Sequence, residues 1–275
     1  MQAQPHTYAH SFNTTHWIRI DDSRGRLPHV SGPAVLFRKA NDSAIALEEY
    51  LQKDPFLIRY VDGTYSYNCY HIPTNLNAGL YDRSRLEAWD WRDIQLHKES
   101  MHKEGDQATI QYRTYQLIRD EYDLIFNDDG SGEAADLVCL KDLDETSIRL
   151  TLVHCKGAHG GRISQDIRNF YTLCGQAQKC ITAKHAGLPT LYHDLKRRQE
   201  QWARQGYTRF LKGEMKKLSY FKEKARKAAL DFEVILVQPG ASVASVTDDA
   251  LRLVATTELY LVKTTQAKVR FVLSA

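Results

Sequence analysis

The sequence has no long apolar run and no feature of an exported protein. No stretch approaches the roughly 18 apolar residues that a membrane-spanning helix needs, and the polar start at residues 1–5 lacks the apolar core of a signal peptide. The five cysteines form no Cys-x-x-Cys pair, so neither disulfides nor a structural zinc site is predicted. We therefore expect a cytoplasmic protein without a membrane partner.

Low-complexity composition is also absent. Hydrophobic residues make up 43% of the chain and charged residues 26%, which is ordinary globular usage and supplies enough apolar surface for a buried core. The length of 275 residues exceeds the roughly 150 residues of a typical domain. The composition excludes a fibrous or wholly disordered protein and predicts one large or two small domains.

The net charge is small, but positive charge is concentrated in one segment. The whole chain carries +3, whereas residues 196–227, here called the basic segment, hold 12 basic and three acidic residues. Aromatic residues alternate with these cations, a combination suited to phosphate neutralisation and base stacking. The alternative is a solvated helical face with its aromatic side chains turned inward. The candidate nucleic-acid contacts here are Lys216, Lys217 and Lys224.

Local patterns divide the chain into two regions. Residues 1–103 lack long helical periodicity and are rich in aromatic and β-branched residues, which predicts a β-rich accessory region. Within it, residues 56–61 and 64–72 flank Asp62-Gly63 and predict a β-hairpin. Residues 104–275 are predicted to form the second domain, in which helices and strands alternate.

Two strand patterns in the second region predict another hairpin. Residues 134–140 and 149–156 are largely apolar and are joined by a polar loop. If the turn is centred at residue 145, the facing pairs are Leu140 with Leu150, Val138 with Leu152, and Asp136 with His154. Because side chains alternate with a period of two, Lys156 is expected on the same face as His154.

The rest of the second region predicts further helices and parallel strands. Ser164 is expected to cap a helix whose apolar positions recur from Ile167 to Ile181 at intervals of three and four. A closing strand–helix–strand unit adds parallel strands to a sheet. The other predicted elements are helices over 106–119, 190–205, 207–230 and 247–263, and strands over 122–126, 232–237 and 269–273.

Asp136, His154 and Lys156 are predicted to converge at one end of this hairpin. A divalent cation that assists phosphodiester cleavage needs a carboxylate ligand, and the backbone carbonyl of Cys155 could add a further oxygen. An imidazole ligand shifts the preference from Mg²⁺ toward Mn²⁺. The convergence indicates a metal-dependent site, and the alternative is a set of ordinary polar residues at a strand end.

The element order strengthens this interpretation. From residue 106 it is helix, three strands, helix, with Ala135-Asp136 on one strand and His154-Cys155-Lys156 on the next, and this resembles the PD-(D/E)xK nuclease superfamily. The resemblance implies an α/β fold of restriction-endonuclease type, a mixed sheet flanked by helices. It also implies that Asp136 binds Mg²⁺ or Mn²⁺ together with His154, which replaces the usual Asp or Glu. Lys156 would then orient or deprotonate the attacking water.

Three sequence segments carry a narrower resemblance, to the nuclease module on the C-terminal side of bacterial DEAD/DEAH-type helicases. They are YDLIFNDDGSGEAADLV, LVHCKG and RNFYTLCGQAQK. This resemblance implies DNA as the substrate and a helicase, fused or separate, as the partner in an antiviral defence or DNA-processing system. The predicted function is therefore a metal-dependent deoxyribonuclease. The alternative is a catalytically inactive nuclease-fold module that binds nucleic acid or a helicase.

Other polar residues near Asp136 could complete the site. Glu133 is a candidate second acid or else a plain turn carboxylate. Asp128 and Asp129 are interpreted as turn residues. Many superfamily members carry an acid on the first helix, and the candidates for this position are Gln111, Glu99 and Glu104. Gln111 is best placed on the predicted helix and is therefore the predicted metal ligand.

The helix after the lysine strand carries the last candidates. Gln176 lies off its apolar stripe and resembles a glutamine that some nuclease lineages place beside the metal. The alternative is that Gln176 belongs to a solvated polar face. The candidate phosphate contacts near this helix are Arg162, Arg168 and Lys179.

Overall fold

The computed structural model describes residues 78–178 and 180–275. It also describes shorter segments nearer the N-terminus, namely residues 6–9, 15–18, 29–31, 33–37, 43–53, 57–60, 64–67 and 70–72. The chain forms two compact units, Met1–Asn75 and Leu76–Ala275. Among the described residues, no helix combines the length and the apolar character needed to cross a membrane.

Short strands dominate the described part of the first unit. The antiparallel pairing predicted around Asp62-Gly63 is confirmed, because the strand Leu57–Arg59 before it pairs with the strand Tyr65–Tyr67 after it. The predicted second strand, residues 64–72, is instead two strands, Tyr65–Tyr67 and Tyr70–Ile72, which pair antiparallel with each other. The elements are β1 (His6–Ala9), β2 (Thr15–Ile18), β3 (His29–Ser31), β4 (Leu36–Phe37), β5 (Ile45–Ala46), α1 (Leu47–Lys53), β6 (Leu57–Arg59), β7 (Tyr65–Tyr67) and β8 (Tyr70–Ile72). They form the small sheets β1-β2-β3, β4-β5 and β6-β7-β8.

The second unit is an α/β structure, as predicted, built on one mixed sheet. Its elements are β9 (Glu87–Trp89), α2 (Ile110–Ile118), β10 (Leu124–Asn127), β11 (Leu137–Asp144), β12 (Ser147–Cys155), α3 (Arg168–Ala177), α4 (Cys180–Ala203), β13 (Phe210–Lys212), α5 (Met215–Lys224), β14 (Ala229–Ser242), α6 (Asp248–Thr265) and β15 (Lys268–Ser274). The strand order is β13-β10-β11-β12-β14-β15-β9. Neighbouring strands pair antiparallel from β13 through β10 and β11 to β12. From β12 through β14 and β15 to β9 they pair parallel.

The hairpin of β11 and β12 has the predicted register. Leu140 pairs with Leu150 and Val138 with Leu152, and a one-residue slip would move an apolar row of side chains to the wrong face. Leu150 and Leu152 join a buried cluster that includes residues of α3 to α6. Val153 and other odd-numbered residues join a second cluster with α2. The sheet is therefore covered on both faces, and each fully buried leucine contributes about 1.5–3 kcal/mol of transfer free energy.

The boundary between the units differs from the predicted one. The sequence places it between residues 103 and 104, whereas the compact units divide after Asn75. The reason is that β9 pairs in parallel with β15 and that the Arg270 guanidinium binds the Glu87 carboxylate at 2.6 Å. Such pairing between segments far apart in sequence leaves no local signal in the chain.

Several element boundaries also differ from prediction. The helix predicted over 207–230 is instead the short strand β13 followed by α5, and Gly213 separates them with a positive φ of 78° that few other residues adopt. The helix expected to start at Ser164 begins at Arg168, whose N–H is accepted by Asp166 Oδ1 at 2.9 Å. The Ser164 N–H instead donates to the Gly240 carbonyl at 2.9 Å.

Candidate active site

Three carboxylates meet in the loop between β10 and β11, residues 128–136, here called the acidic loop. One ligand oxygen from each of Asp129, Glu133 and Asp136 lies within 4.8 Å of the other two. In the part of the chain that the structure describes, this is the one set of three or more His, Cys, Asp or Glu side chains arranged so closely. We call it the acid cluster.

The hairpin and α2 fix the position of Asp136. Its Oδ2 accepts the backbone N–H of Cys155 at 2.8 Å, which ties the carboxylate to the end of β12. Its backbone carbonyl accepts the Gln111 side-chain amide at 3.0 Å and the backbone N–H of Asp128 at 3.0 Å. Asp136 therefore lies at the junction of β11, β12 and α2, with only 2% of its surface exposed.

Hydrogen bonds within and around the acidic loop position the other two acids. Glu133 Oε2 accepts the backbone N–H of Gly130 at 2.6 Å. The Ser100 hydroxyl donates to Asp129 Oδ2. Glu133 and Asp129 are both only partly buried, so the acid cluster has one deep and two shallower carboxylates.

The electrostatics of the acid cluster favour a bound cation. Burial raises the pKa of Asp136 well above its ordinary value, and the negative charges of Glu133, Glu99 and Asp129 raise it further, against the lowering effect of the Cys155 N–H. A carboxylate that lies among other acids in a low-dielectric site is ionised only at a cost. Because hard divalent cations prefer carboxylate oxygens, the donor set of the acid cluster fits Mg²⁺ or Mn²⁺.

Lys156 lies just beyond the end of β12 and pairs with Glu99. Its ammonium is 2.8 Å from Glu99 Oε2, and the same carboxylate accepts the backbone N–H of Gly157 at 3.0 Å. A polar cavity of about 250 Å³ opens beside this pair. Its other lining side chains include His97, His159, Arg168, Asn169 and Thr172.

His154 occupies a different environment from the one expected. Its Nε2 lies 3.1 Å from the Cys180 sulfur, in the buried cluster that α3 and α4 cover, and it is not a member of the acid cluster. Lys156, in contrast, meets Glu99 in the loop that precedes α2. The Lys156 N–H still donates to the Val237 carbonyl at 3.0 Å, and its side chain lines a cavity with residues of α3, so the common face of His154 and Lys156 stays a prediction.

Gln111 lies beside Asp136 as expected, but its side-chain amide forms hydrogen bonds with other groups of the protein. Its Oε1 accepts the backbone N–H of Met101 at 2.8 Å, and its Nε2 donates to Asn127 and to the Asp136 carbonyl. The predicted ligand oxygen is thus directed at Met101. Gln176 is partly buried on α3, as a residue off the apolar stripe should be, and its role stays a prediction, as does that of the Cys155 carbonyl.

The basic candidates fall into two groups. Arg162 and Lys216 are exposed, whereas the Arg168 guanidinium pairs with Asp166 at 2.6 Å and Lys224 binds Asp142. The Lys217 ammonium lies 5.1 Å from the centre of the Tyr220 ring. Lys179 is outside the described residues.

Sequence reasoning missed two acids that the structure brings to the site. Asp129 was interpreted as a turn residue and belongs to the acid cluster, and Glu99 was set aside in favour of Gln111 and pairs with Lys156. Both lie in loops, where no periodicity predicts the direction of a side chain. The only signal was the concentration of acids at residues 128–136.

No protein-family model matches this chain, and neither the curated proteins nor the solved structures contain a match.

Proposed function

We propose that this protein is a divalent-metal-dependent phosphodiesterase that cleaves DNA. The observation that carries the proposal is that the end of β12 links the acid cluster to Lys156: Asp136 of the cluster accepts the Cys155 N–H, and the next residue, Lys156, pairs with Glu99. Metal-dependent phosphodiester hydrolysis uses both components, because the carboxylates hold the metal and the cationic side chain stabilises charge at the reacting phosphate.

The residues of the chain have separable roles in this proposal. Asp129, Glu133 and Asp136 would hold Mg²⁺ or Mn²⁺, which polarises phosphate oxygens and acidifies water when bound. Lys156, held by Glu99, would direct its ammonium toward the attacking water or a phosphate oxygen. The polar cavity beside Lys156 gives a phosphate room to approach that ammonium.

The element order supports the specific assignment to the PD-(D/E)xK type. The helix α2 is followed by β10, β11, β12 and α3, and the parallel strand β14 comes after the further elements α4, β13 and α5. Asp136 and Lys156 lie just beyond adjacent ends of β11 and β12. Within this proposal, DNA is the substrate, and a helicase, fused or separate, delivers it in a defence or DNA-processing system.

Cleavage assays with matched variants test the proposal. Linear, nicked and supercoiled DNA is incubated with the full chain in Mg²⁺ and in Mn²⁺, beside Asp136→Asn, Lys156→Met and the exposed control Asp249→Asn. We expect both site variants to lower the cleavage rate by at least about 100-fold, since removal of one charge-stabilising group costs about 10²–10³ in rate. Equal cleavage by the wild type and both site variants would contradict the proposed roles.

A second candidate function is a nuclease-fold module that binds nucleic acid or a helicase without turnover. The residue at position 154 favours this alternative. The superfamily is expected to have a catalytic acid there, whereas this chain has His154, whose ring faces Cys180. Under this alternative, DNA binding persists in Asp136→Asn and no divalent metal supports cleavage. The same set of variants therefore separates the two functions.

A further inference from the structure

A buried arginine from the basic segment binds the acidic loop through an ion pair and hydrogen bonds. Arg198 on α4 is an ion-pair partner of Asp128, with 2.6 Å between Nε and Oδ1, and the two side chains are only 8% and 2% exposed. Its Nη1 donates to the Ser131 carbonyl at 2.9 Å, and its Nη2 donates to the carbonyls of Asp129, at 3.0 Å, and Asp128. One guanidinium thus binds four groups of the same loop.

A second arginine binds the start of the same loop. Arg209 Nη1 donates to the Asn127 carbonyl at 2.9 Å and to the Asp129 carbonyl at 3.0 Å. The Arg209 guanidinium lies 4.1 Å from the centre of the Trp202 ring, and Gln199 Oε1 accepts its backbone N–H at 2.8 Å. Arg209 is therefore held by α4 as well as by the loop, and the Asp129 carbonyl receives both guanidinium groups.

These contacts determine the shape of the part of the acidic loop that carries Asp129 and Glu133. Its carbonyl groups are bound by rigid, multidentate donors, and Gly130 and Gly132 adopt positive φ angles of 122° and 78° that other residues rarely reach. The side chain of Arg198 also lies close against Gly130, 3.4 Å from where a Cβ would stand. Asp136 is in addition held by the Cys155 N–H at the end of β12.

The positive charges of Arg198 and Arg209 also favour the close approach of the carboxylates in the acid cluster. Asp128 neutralises one of the two guanidinium groups, and the other, that of Arg209, places a positive charge next to Asp129. Since mutual repulsion opposes the approach of several carboxylates, a buried cation behind the loop lowers the cost of assembling the acid cluster before a metal binds.

We infer that Arg198 and Arg209 are the positioning residues of the acid cluster: they hold the acidic loop in the shape that brings Asp129 and Glu133 to Asp136. The metal-binding part of this inference rests on the proposed function, and the loop-holding part does not. Part of the basic segment therefore builds the site from inside the protein instead of contacting DNA.

Arginine-to-lysine variants of the full chain test the inference. Arg198→Lys and Arg209→Lys keep the positive charge but lose the forked geometry. Arg197→Lys is the matched control, because the neighbouring Arg197 side chain is 67% exposed and pairs with Asp194 on its own helix turn. Two readouts are combined: hydrogen exchange of the loop amides and Mn²⁺ affinity by calorimetry. The Asp129 and Ala134 amides are the reporters, since both donate to side chains of the loop and its start.

In both site variants we expect these two amides to exchange about tenfold faster, as for the loss of one charge-assisted hydrogen bond. Mn²⁺ affinity should fall about 10- to 100-fold, as when groups behind metal ligands are altered, and Arg197→Lys should match the wild type in both readouts. Unchanged exchange in folded Arg198→Lys and Arg209→Lys would overturn the inference. The inference would also be overturned if the wild type binds Mn²⁺ and the two site variants show faster amide exchange but the same Mn²⁺ affinity as the wild type.

The test also decides the inference if Arg198→Lys does not fold or if the wild type does not bind Mn²⁺. If Arg198→Lys shows no cooperative unfolding, Arg209→Lys decides, because it leaves the Asp128 ion pair in place. If the wild type binds no Mn²⁺ but the loop amides of the site variants exchange faster, the loop-holding role stands and the proposed metal-dependent function fails.

Discussion

The acidic loop at residues 128–136 and the basic segment at residues 196–227 carry opposite charge and are far apart in sequence, yet the structure joins them. Asp128 pairs with Arg198, and the carbonyl of Asp129 receives both Arg198 and Arg209. The lesson is that a local excess of charge does not show where the charged groups point. Some cations of the basic segment stabilise the site from within, and others, such as Lys216, face solvent.

The largest expected difference within the basic segment is in stability. Arg198→Ala leaves Asp128 buried without its ion-pair partner, which should lower the free energy of unfolding by about 3–5 kcal/mol. Arg197→Ala removes an exposed pair with Asp194 and should cost only about 0.2–1 kcal/mol. Urea unfolding followed by circular dichroism measures both. Equal losses in the two variants would mean that the Arg198 contacts contribute no more than a surface pair.

A second expected difference concerns DNA affinity. Lys216 is exposed, whereas the Lys224 ammonium binds the Asp142 carboxylate and the Asp144 carbonyl. Lys216→Met should weaken DNA binding and reduce the slope of log affinity against log salt by about 1. Lys224→Met should leave that slope unchanged, because its charge is already compensated. Fluorescence anisotropy over a salt series tests this, and an equal loss of slope in both variants would contradict it.

The smallest expected effect is on acid stability. Hydrogen bonds from Lys224 and Tyr220 lower the pKa of Asp142 below its ordinary value. The stabilisation from this lowered pKa is present above the unfolded-state pKa of about 3.9 and is lost as pH falls through the folded-state value. Asp142→Asn should therefore lower the melting temperature at pH 7 and show a shallower decline below about pH 4. Parallel declines for wild type and variant would show that Asp142 contributes nothing to acid unfolding.

The regular part of the fold was predictable because it is repetitive. The register of β11 and β12 follows from matching apolar rows at Val138, Leu140, Leu150 and Leu152, and strand alternation assigns each row to one face. The hairpin at Asp62-Gly63 follows from a local turn preference. Neither inference needs information from distant parts of the chain.

The site was predictable only in part, because its geometry depends on irregular and distant segments. Asp136 lies where the hairpin register puts it, but Glu99 reaches Lys156 from a loop 57 positions away in sequence. Arg198 reaches Asp128 from another helix, 70 positions away. No periodic pattern encodes such contacts. His154 was assigned by motif position, and its actual environment depends on Cys180 across the packed face of the sheet.

A crystal structure of the full chain soaked in Mn²⁺ would show whether the acid cluster binds a metal. We expect an anomalous-scattering peak at the acid cluster, about 2.0–2.6 Å from oxygens of Asp129, Glu133 and Asp136, the range for hard divalent ions. A well-ordered acidic loop with no peak at saturating Mn²⁺, or a peak only beside His154 and Cys180, would contradict it.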